Sequence, residues 1–460
     1  MWIIAGVAGL VGFVWYFVLR FGRATDSDVA RAQIAVEEAK SHAESAAAAA
    51  RVMHGDLARS WAPTTANDVE VMPEGKTFYP RMLADITDAT SSIHIMQYGF
   101  NPGVIGDQFT PILEQKARDG VQVRIILDAL GSHAWFGTKK MLNSLAAAGV
   151  EVMLHDAIPP DRSGPVGRRS WSLAAHQFGR VEHRKLVLVD GATAYIGGAG
   201  IEDHFADGRF HDVYTRFTGP VTRQLQAIFV DSFRYHGGAL PTGEGALDHL
   251  FPPIPEPGAH RVTVLMNWPR GWRPYTDAAF RLVREATSRL EMTNPYIGDP
   301  RMIADIIDAG RRGVAVRLLV SDEAHGGIAA AAFKHHYDEL LDAGVQVWEY
   351  PALVHAKVIL SDDRALVGTL NLDAWAMYRN PELGLLFEDA SVADQFRSVM
   401  IDPDVLVSKA ATSSVPSSMR LMSARSPTCA ISSSLRKWTM PIGPYRASGS
   451  SPVTWPSATR

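Results

Sequence analysis

The chain of 460 residues runs through the same ordered set of elements twice, and such a duplication constrains the architecture before any single motif is considered. In the first copy Lys116-Ala-Arg-Asp-Gly120 precedes Val121-Gln-Val-Arg-Ile-Ile-Leu-Asp128; in the second, Ala309-Gly-Arg-Arg-Gly313 precedes Val314-Ala-Val-Arg-Leu-Leu-Val-Ser321. Each reads as a helix end, a glycine stop and a buried strand. Further on, Ala148-Gly149-Val150 matches Ala343-Gly344-Val345, and His183-Arg-Lys185 through Asp190 matches His355-Ala-Lys357 through Asp362. Strand and helix alternate with short connections, which predicts an α/β fold. We expect two pseudo-symmetric halves, 66–250 and 251–406, each a mixed sheet flanked by helices.

The flanks differ in character. Residues 2–19 carry no charge, a run long enough to cross the hydrocarbon core as a helix, and Arg20, Arg23 and Arg31 follow it. The expectation is an uncleaved transmembrane anchor over 1–23, single-pass, with everything downstream of it facing the cytoplasm. Residues 24–65, rich in Ala with Glu and Arg interspersed, read as a juxtamembrane helical segment. The Ser-, Pro- and Thr-rich stretch 407–460 reads as a disordered tail. Between the two copies the first carries an extra segment, 157–180, open to reading as a surface loop or as a lid over substrate.

Composition removes some chemistries. A single cysteine, Cys429, excludes an internal disulfide framework and a cysteine-based zinc site. With 45 Lys and Arg against 49 Asp and Glu, the chain lacks a basic nucleic-acid footprint, so no nucleic-acid partner is expected.

His and Lys two residues apart on a strand project from one face, about 7 Å apart along the chain. One such pair reads as a satisfied polar spot at a strand end. Two, at matching places in a duplicated unit, give histidines able to face each other across a pseudo-twofold axis. One neutral imidazole attacks a phosphodiester and the other protonates the leaving oxygen, while Lys185 and Lys357 stabilise the added negative charge. The scheme requires no metal and no cofactor, and a lysine ammonium beside each histidine would repel a cation.

His183-x-Lys185-x4-Asp190 with Gly197-Gly198, and His355-x-Lys357-x4-Asp362 with Gly368-Thr369-x-Asn371, resemble the two signature motifs of the phospholipase D superfamily. Together with Asn294-Pro295-Tyr296 and Asn380-Pro381-Glu382 they look most like the bacterial cardiolipin synthase branch. The resemblance implies a membrane-anchored phosphatidyltransferase working on phosphatidylglycerol-type lipid through a covalent phosphohistidine, with the active site between the halves. It assigns His183 as nucleophile, His355 as general acid and base, and Lys185, Asp190, Lys357 and Asp362 as the rest of the motifs. Glu382 is implied to orient His183 and Asp212 to orient His355, with Gly198, Thr369 and Asn371 at the substrate.

Two departures stand out from that pattern. After Gly197-Gly198 the family carries an asparagine where this chain has Gly200, so one amide donor is expected to be missing from the first half. Thr369 replaces the usual serine and keeps its hydroxyl. Hydrolysis of the phosphodiester is the alternative reaction for the same residues, a nuclease of the superfamily is a further reading, and a non-catalytic membrane scaffold is a third.

Overall fold

The computed structural model describes residues 62–412, apart from 134–136, 156–166, 169–180, 242–244 and 269–272. The expected anchor, most of the helical segment after it, the bulk of the inserted segment and the tail from 413 onward lie outside the described residues.

The first half supplies β1 (Thr64–Pro73), β2 (Ser92–Gln97), β3 (Gln122–Asp128), β4 (Glu151–His155), β5 (Gly167–Arg168), β6 (Leu186–Val189), β7 (Thr193–Gly197), β8 (Phe210–His211) and β9 (Val213–Thr218). The second supplies β10 (His260–Asn267), β11 (Arg289–Thr293), β12 (Ala315–Ser321), β13 (Gln346–Tyr350), β14 (Leu353–Val354), β15 (Val358–Ser361), β16 (Arg364–Gly368), β17 (Glu382–Phe387) and β18 (Lys409–Ala410). Each half is mixed: β2, β3 and β4 pair in parallel, as do β11, β12 and β13, whereas β6 and β15 run antiparallel to β2 and β11.

The glycine stops fall where the repeat places them. Gly120 and Gly313 both have φ of +89°, and each closes a helix, Gly106–Arg118 or Pro300–Arg311, just before its strand. Glycine takes that left-handed turn without the Cβ clash any other residue meets. At the front of the second helix Asp299 accepts from the amides of Arg301 and Met302, and Pro300 follows as its first residue.

The halves are not separate sheets. β1 and β10 pair antiparallel, Thr64 opposite Val262 and Asn67 opposite His260, and fuse them into one 16-stranded sheet among the described residues. Outward from that seam the order is mirrored: β9, β7, β6, β2, β3, β4 on one side and β17, β16, β15, β11, β12, β13 on the other. Each half has its own core on one face, and a third core under the seam draws on both, with Phe217 and Phe387 stacked at 5.9 Å between ring centroids. Both rings are fully buried, worth about 2–3 kcal/mol each.

Two boundaries move. β1 begins at Thr64, inside the stretch read as a helical segment, because Thr64 to Pro73 alternates side chains against β9 and β10. At the other end the helix Asp402–Val407 and the strand β18 continue past position 406, with β18 paired to β13.

Candidate active site

The pseudo-equivalent strands β6 and β15 begin at the same level of the sheet, and the residues just before them carry the two motifs. His183 and Lys185 precede Leu186; His355 and Lys357 precede Val358. Both histidines line one cleft of about 1010 Å³, with Lys185, Gly198 and Asn371.

Each imidazole is held by an acid from the opposite half. Nδ1 of His183 lies 2.9 Å from both carboxylate oxygens of Glu382, the first residue of β17. Nδ1 of His355 lies 2.6 Å from Oδ2 of Asp212. The second contact has a visible local cause. β8 and β14 pair in parallel across the halves, Leu353 opposite Phe210 and Val354 opposite His211, so the next residues, His355 and Asp212, arrive side by side. The His211 carbonyl accepts from the amides of His355 and Ala356, at 2.7 and 3.1 Å. His211 Nε2 is itself tied to Asp404 Oδ2 at 2.7 Å, which anchors the ribbon to the last helix.

The acids are fixed in turn by the positions that follow Gly197 and Gly368. Asp212 Oδ1 accepts from the amides of Gly198 and Val213, and a Cβ at position 198 would meet both Asp212 oxygens at 2.6 Å. In the second half Thr369 Oγ1 accepts from the Leu383 amide at 3.0 Å and spends its proton on Glu382 Oε2. Thr369 is fully buried and does not line the cleft, so its hydroxyl holds Glu382 instead of meeting substrate. Asn371 does line the cleft, 8 % exposed, with Oδ1 buried and no hydrogen-bond partner in the structure.

Burial, then Lys185 and Lys357, hold His183 well below the usual imidazole range. Burial and Lys357 lower His355 to about 3. Burial likewise lowers Lys185 to about 8 and Lys357 to about 7, against the pull of the neighbouring carboxylates. For Asp212 burial works upward but is outweighed by His355 and Lys357, which leave it lowered. Burial wins at Glu382, raising it to about 8 in spite of Lys185, Thr369 and Lys357. Burial and the neighbouring ammonium groups thus favour the uncharged imidazole at both positions. Lys185 Nζ donates to the His183 carbonyl at 2.8 Å and lines the cleft; Lys357 Nζ sits behind its histidine, 2.8 Å from Nδ1.

Asp190 and Asp362 are not brought to the cleft. Each sits at the hairpin turn at the far end of its strand, with φ of +52° and +53°. Asp190 accepts from the amides of Thr90, Ser91 and Ser92, and Asp362 from those of Thr287, Ser288 and Arg289. They staple the turn entering β2 and β11, and the expectation that they belong to the catalytic set is corrected accordingly. Asn294 has a similar duty, bridging the Leu370 carbonyl and the Leu372 amide.

Several cleft residues escape a motif-based reading: Tyr98, Glu202 and Trp375. The repeat offered a signal for one of them, since Glu202 stands where the second copy has Asp373. Behind the cleft His155, Glu182 and His236 have the mutual spacing of metal ligands. Arg184, however, already clasps both Glu182 oxygens at 2.7 and 2.6 Å, and its guanidinium would repel a cation there.

The family model described as cardiolipin synthase, PLD-like domain, matches residues 82–229 and 280–402. The chain belongs to this family of phospholipase D-like cardiolipin synthases. It is 30 % identical over 375 residues to cardiolipin synthase A of Pseudomonas putida (strain W619), covering 79 % of this chain and 74 % of that one. Against the cardiolipin synthase of Geobacillus kaustophilus (strain HTA426) identity is 29 % over 330 residues, 69 % of this chain and 62 % of the relative. The chain spans 62 to 64 % of the length of the first curated relatives it matches. A crystal structure of phosphatidylserine synthase from Haemophilus influenzae Rd KW20 superposes with a TM-score of 0.56 at 14 % identity, over 78 % of this chain and 91 % of that one, and shares the fold.

Proposed function

We propose that this member of the cardiolipin synthase family is a phosphatidyltransferase that acts on phosphatidylglycerol-type lipid through a phosphohistidine at His183. The observation that carries the reading is the crossed pairing: two imidazoles in one cleft, each paired with a carboxylate of the other half. With Nδ1 directed at Glu382, Nε2 of His183 is the atom left to attack phosphorus. A P–N bond forms, the P–O bond to the leaving alcohol breaks, and His355, which takes up a proton on Nε2 from solvent as the phosphodiester anion binds, delivers that proton to the leaving oxygen. The acceptor alcohol then returns a proton to His355 as its oxygen displaces His183. Arrival of the anionic phosphodiester offsets the lysine charges and raises the proton affinity of His355. Lys185 and Asn371 stand where the equatorial oxygens would gather.

A lipid substrate is supported by the cleft rim, where Leu130, Tyr296 and Trp375 are exposed large apolar side chains. Membrane attachment through residues 1–23, with the catalytic part in the cytoplasm, remains part of the proposal; among the described residues no helix is long and apolar enough to cross a membrane. The same residues hydrolyse the phosphodiester when water takes the place of the acceptor. Expression in cells lacking cardiolipin tests the reading: wild type restores the lipid and His183→Ala does not, whereas cardiolipin formed by the variant would refute it.

A further inference from the structure

We infer that the cleft continues into a site for one fatty-acyl chain of the phosphatidyl group, an apolar trough lined by the helices Pro300–Arg311 and Glu323–Lys334 of the second half. The inference rests on the phosphatidyltransfer reading above.

An added helix makes the trough. In the first half the described residues from the end of β3 to the helix Lys139–Ala147 are turns, whereas in the second half the helix Glu323–Lys334 stands between β12 and the helix Tyr337–Asp342. From Ile328 to Phe333 its sequence is Ile-Ala-Ala-Ala-Ala-Phe, without a polar side chain. A stretch of that kind calls for a cover, yet only Phe333 is buried and Ile328 is 83 % exposed. Gly327, with φ of +57°, kinks the helix just before it.

Ala329, Ala332 and Phe333 line the cleft, at the i, i+3, i+4 spacing of one helical face. Pro300 and Ile303 of the other helix line the same cleft, again one turn apart, and Ile297 leads into them. From Ile297 to Phe333 no lining residue is titratable; His336 is the first beyond them, while the first half brings His133, Glu202 and His204 to its wall. The trough is joined to the reacting centre. Ile297 bridges Leu372, the residue after Asn371, and the amides of Gly298 and Asp299 both donate to the Leu372 carbonyl, at 2.8 and 2.9 Å. A phosphatidyl group whose phosphate meets Asn371 therefore has apolar surface within reach on that side.

The occupant follows from the reaction. At about 1010 Å³ the cleft has the size of pockets that hold drug-sized ligands, more than a phosphoglycerol headgroup fills. When the P–N bond to His183 forms and the P–O bond to glycerol breaks, the diacylglycerol branch stays on phosphorus. One of its chains, lying in the trough, leaves water together with the side chains around it. That contact holds the phosphatidyl group while the second alcohol replaces the first. Being uncharged, the trough does not oppose an anionic lipid as that alcohol.

Phosphatidylglycerols with two acyl chains of four, six or eight carbons, each below its micelle concentration, are the probes, because a monomeric lipid reports the trough without a bilayer. The full chain, kept in amphipol so that no micelle takes up the lipid, is assayed for glycerol release, whose kcat/KM covers only the steps up to the phosphohistidine. A buried methylene is worth about a factor of four, so wild type is expected to gain roughly tenfold or more in kcat/KM from the four- to the eight-carbon lipid. Ala329→Asp puts a carboxylate on the cleft face and should cut that gain roughly threefold or more, with a thermal melt near that of wild type. Repulsion of the anionic phosphodiester lowers all three lipids alike, so the gain, not the rate, is the readout. Ile328→Asp, one position earlier and outside the cleft, should keep the wild-type gain. A wild-type gain short of tenfold, a gain cut less than threefold in Ala329→Asp, or one cut as far in Ile328→Asp overturns the inference while leaving phosphatidyltransfer standing. Absence of glycerol release from every lipid overturns both.

Discussion

Glu382 opens a strand of the second half, yet its carboxylate lies 2.9 Å from Nδ1 of His183 in the first. Asp212 returns the relationship at His355, so each half completes the other's catalytic group. The fused sheet and the shared core beneath the seam keep the two contacts in register.

Glu382→Gln tests the first contact. An amide has nearly the same shape but no longer fixes Nδ1–H as donor, so Nε2 is not reliably presented for attack. Turnover should fall roughly 10²- to 10⁴-fold, the range seen when a triad carboxylate is neutralised. A thermal melt close to that of wild type should accompany the loss. Full turnover would show that Glu382 does not aim the nucleophile.

Asp190→Ala is expected to separate stability from chemistry. The carboxylate accepts from three consecutive amides and from the Thr90 hydroxyl, and truncation leaves those donors without it. Stability should drop by about 2–3 kcal/mol, a lost charge-assisted bond plus unsatisfied donors, with turnover changed only a few-fold at a temperature where the variant is folded. Chemical denaturation and a steady-state assay on the same preparation decide it. A thousandfold loss of turnover in a stable variant would return Asp190 to the catalytic set.

The repeat made the mirrored order of strands legible, because glycine stops and apolar strands recur with the same neighbours. The seam was hidden, since nothing local in Thr64–Pro73 announces that its edge pairs with His260–Asn267. Asp212 and Glu382 were reached through family resemblance alone; the ribbon that delivers Asp212 is two residues per strand, too short to leave a periodic signal. Asp190 misled by adjacency, four residues of strand carrying it away from Lys185 to the opposite end of the sheet. Gly200 read as a missing amide, and the carboxylate that fills its space two residues later went unnoticed.

Activity should follow a bell-shaped pH profile with its top between about 7 and 8. Glu382, raised to about 8, must lose its proton to accept Nδ1–H, so rate rises as pH climbs towards that value. Lys357 at about 7 and Lys185 at about 8 are lowered from the ordinary lysine range, so their positive charge is present below those values and lost above them. The alkaline limb in kcat/KM should therefore set in well before ordinary lysines titrate. In kcat it should move upward, because a bound phosphodiester anion favours the charged ammonium. A flat kcat/KM between pH 6 and 9 would contradict this.

The central claim is that His183 carries the phosphatidyl group between donor and acceptor. Rapid acid quench of the enzyme with phosphate-labelled phosphatidylglycerol, followed by peptide mapping, measures this directly. The label should be on the peptide containing His183 in wild type, should accumulate in a variant whose acceptor step is slowed by His355→Asn when an activated aryl phosphodiester is the donor, and should be absent from His183→Asn. Label on the His355 peptide, or transfer at the wild-type rate by His183→Asn, would contradict the account.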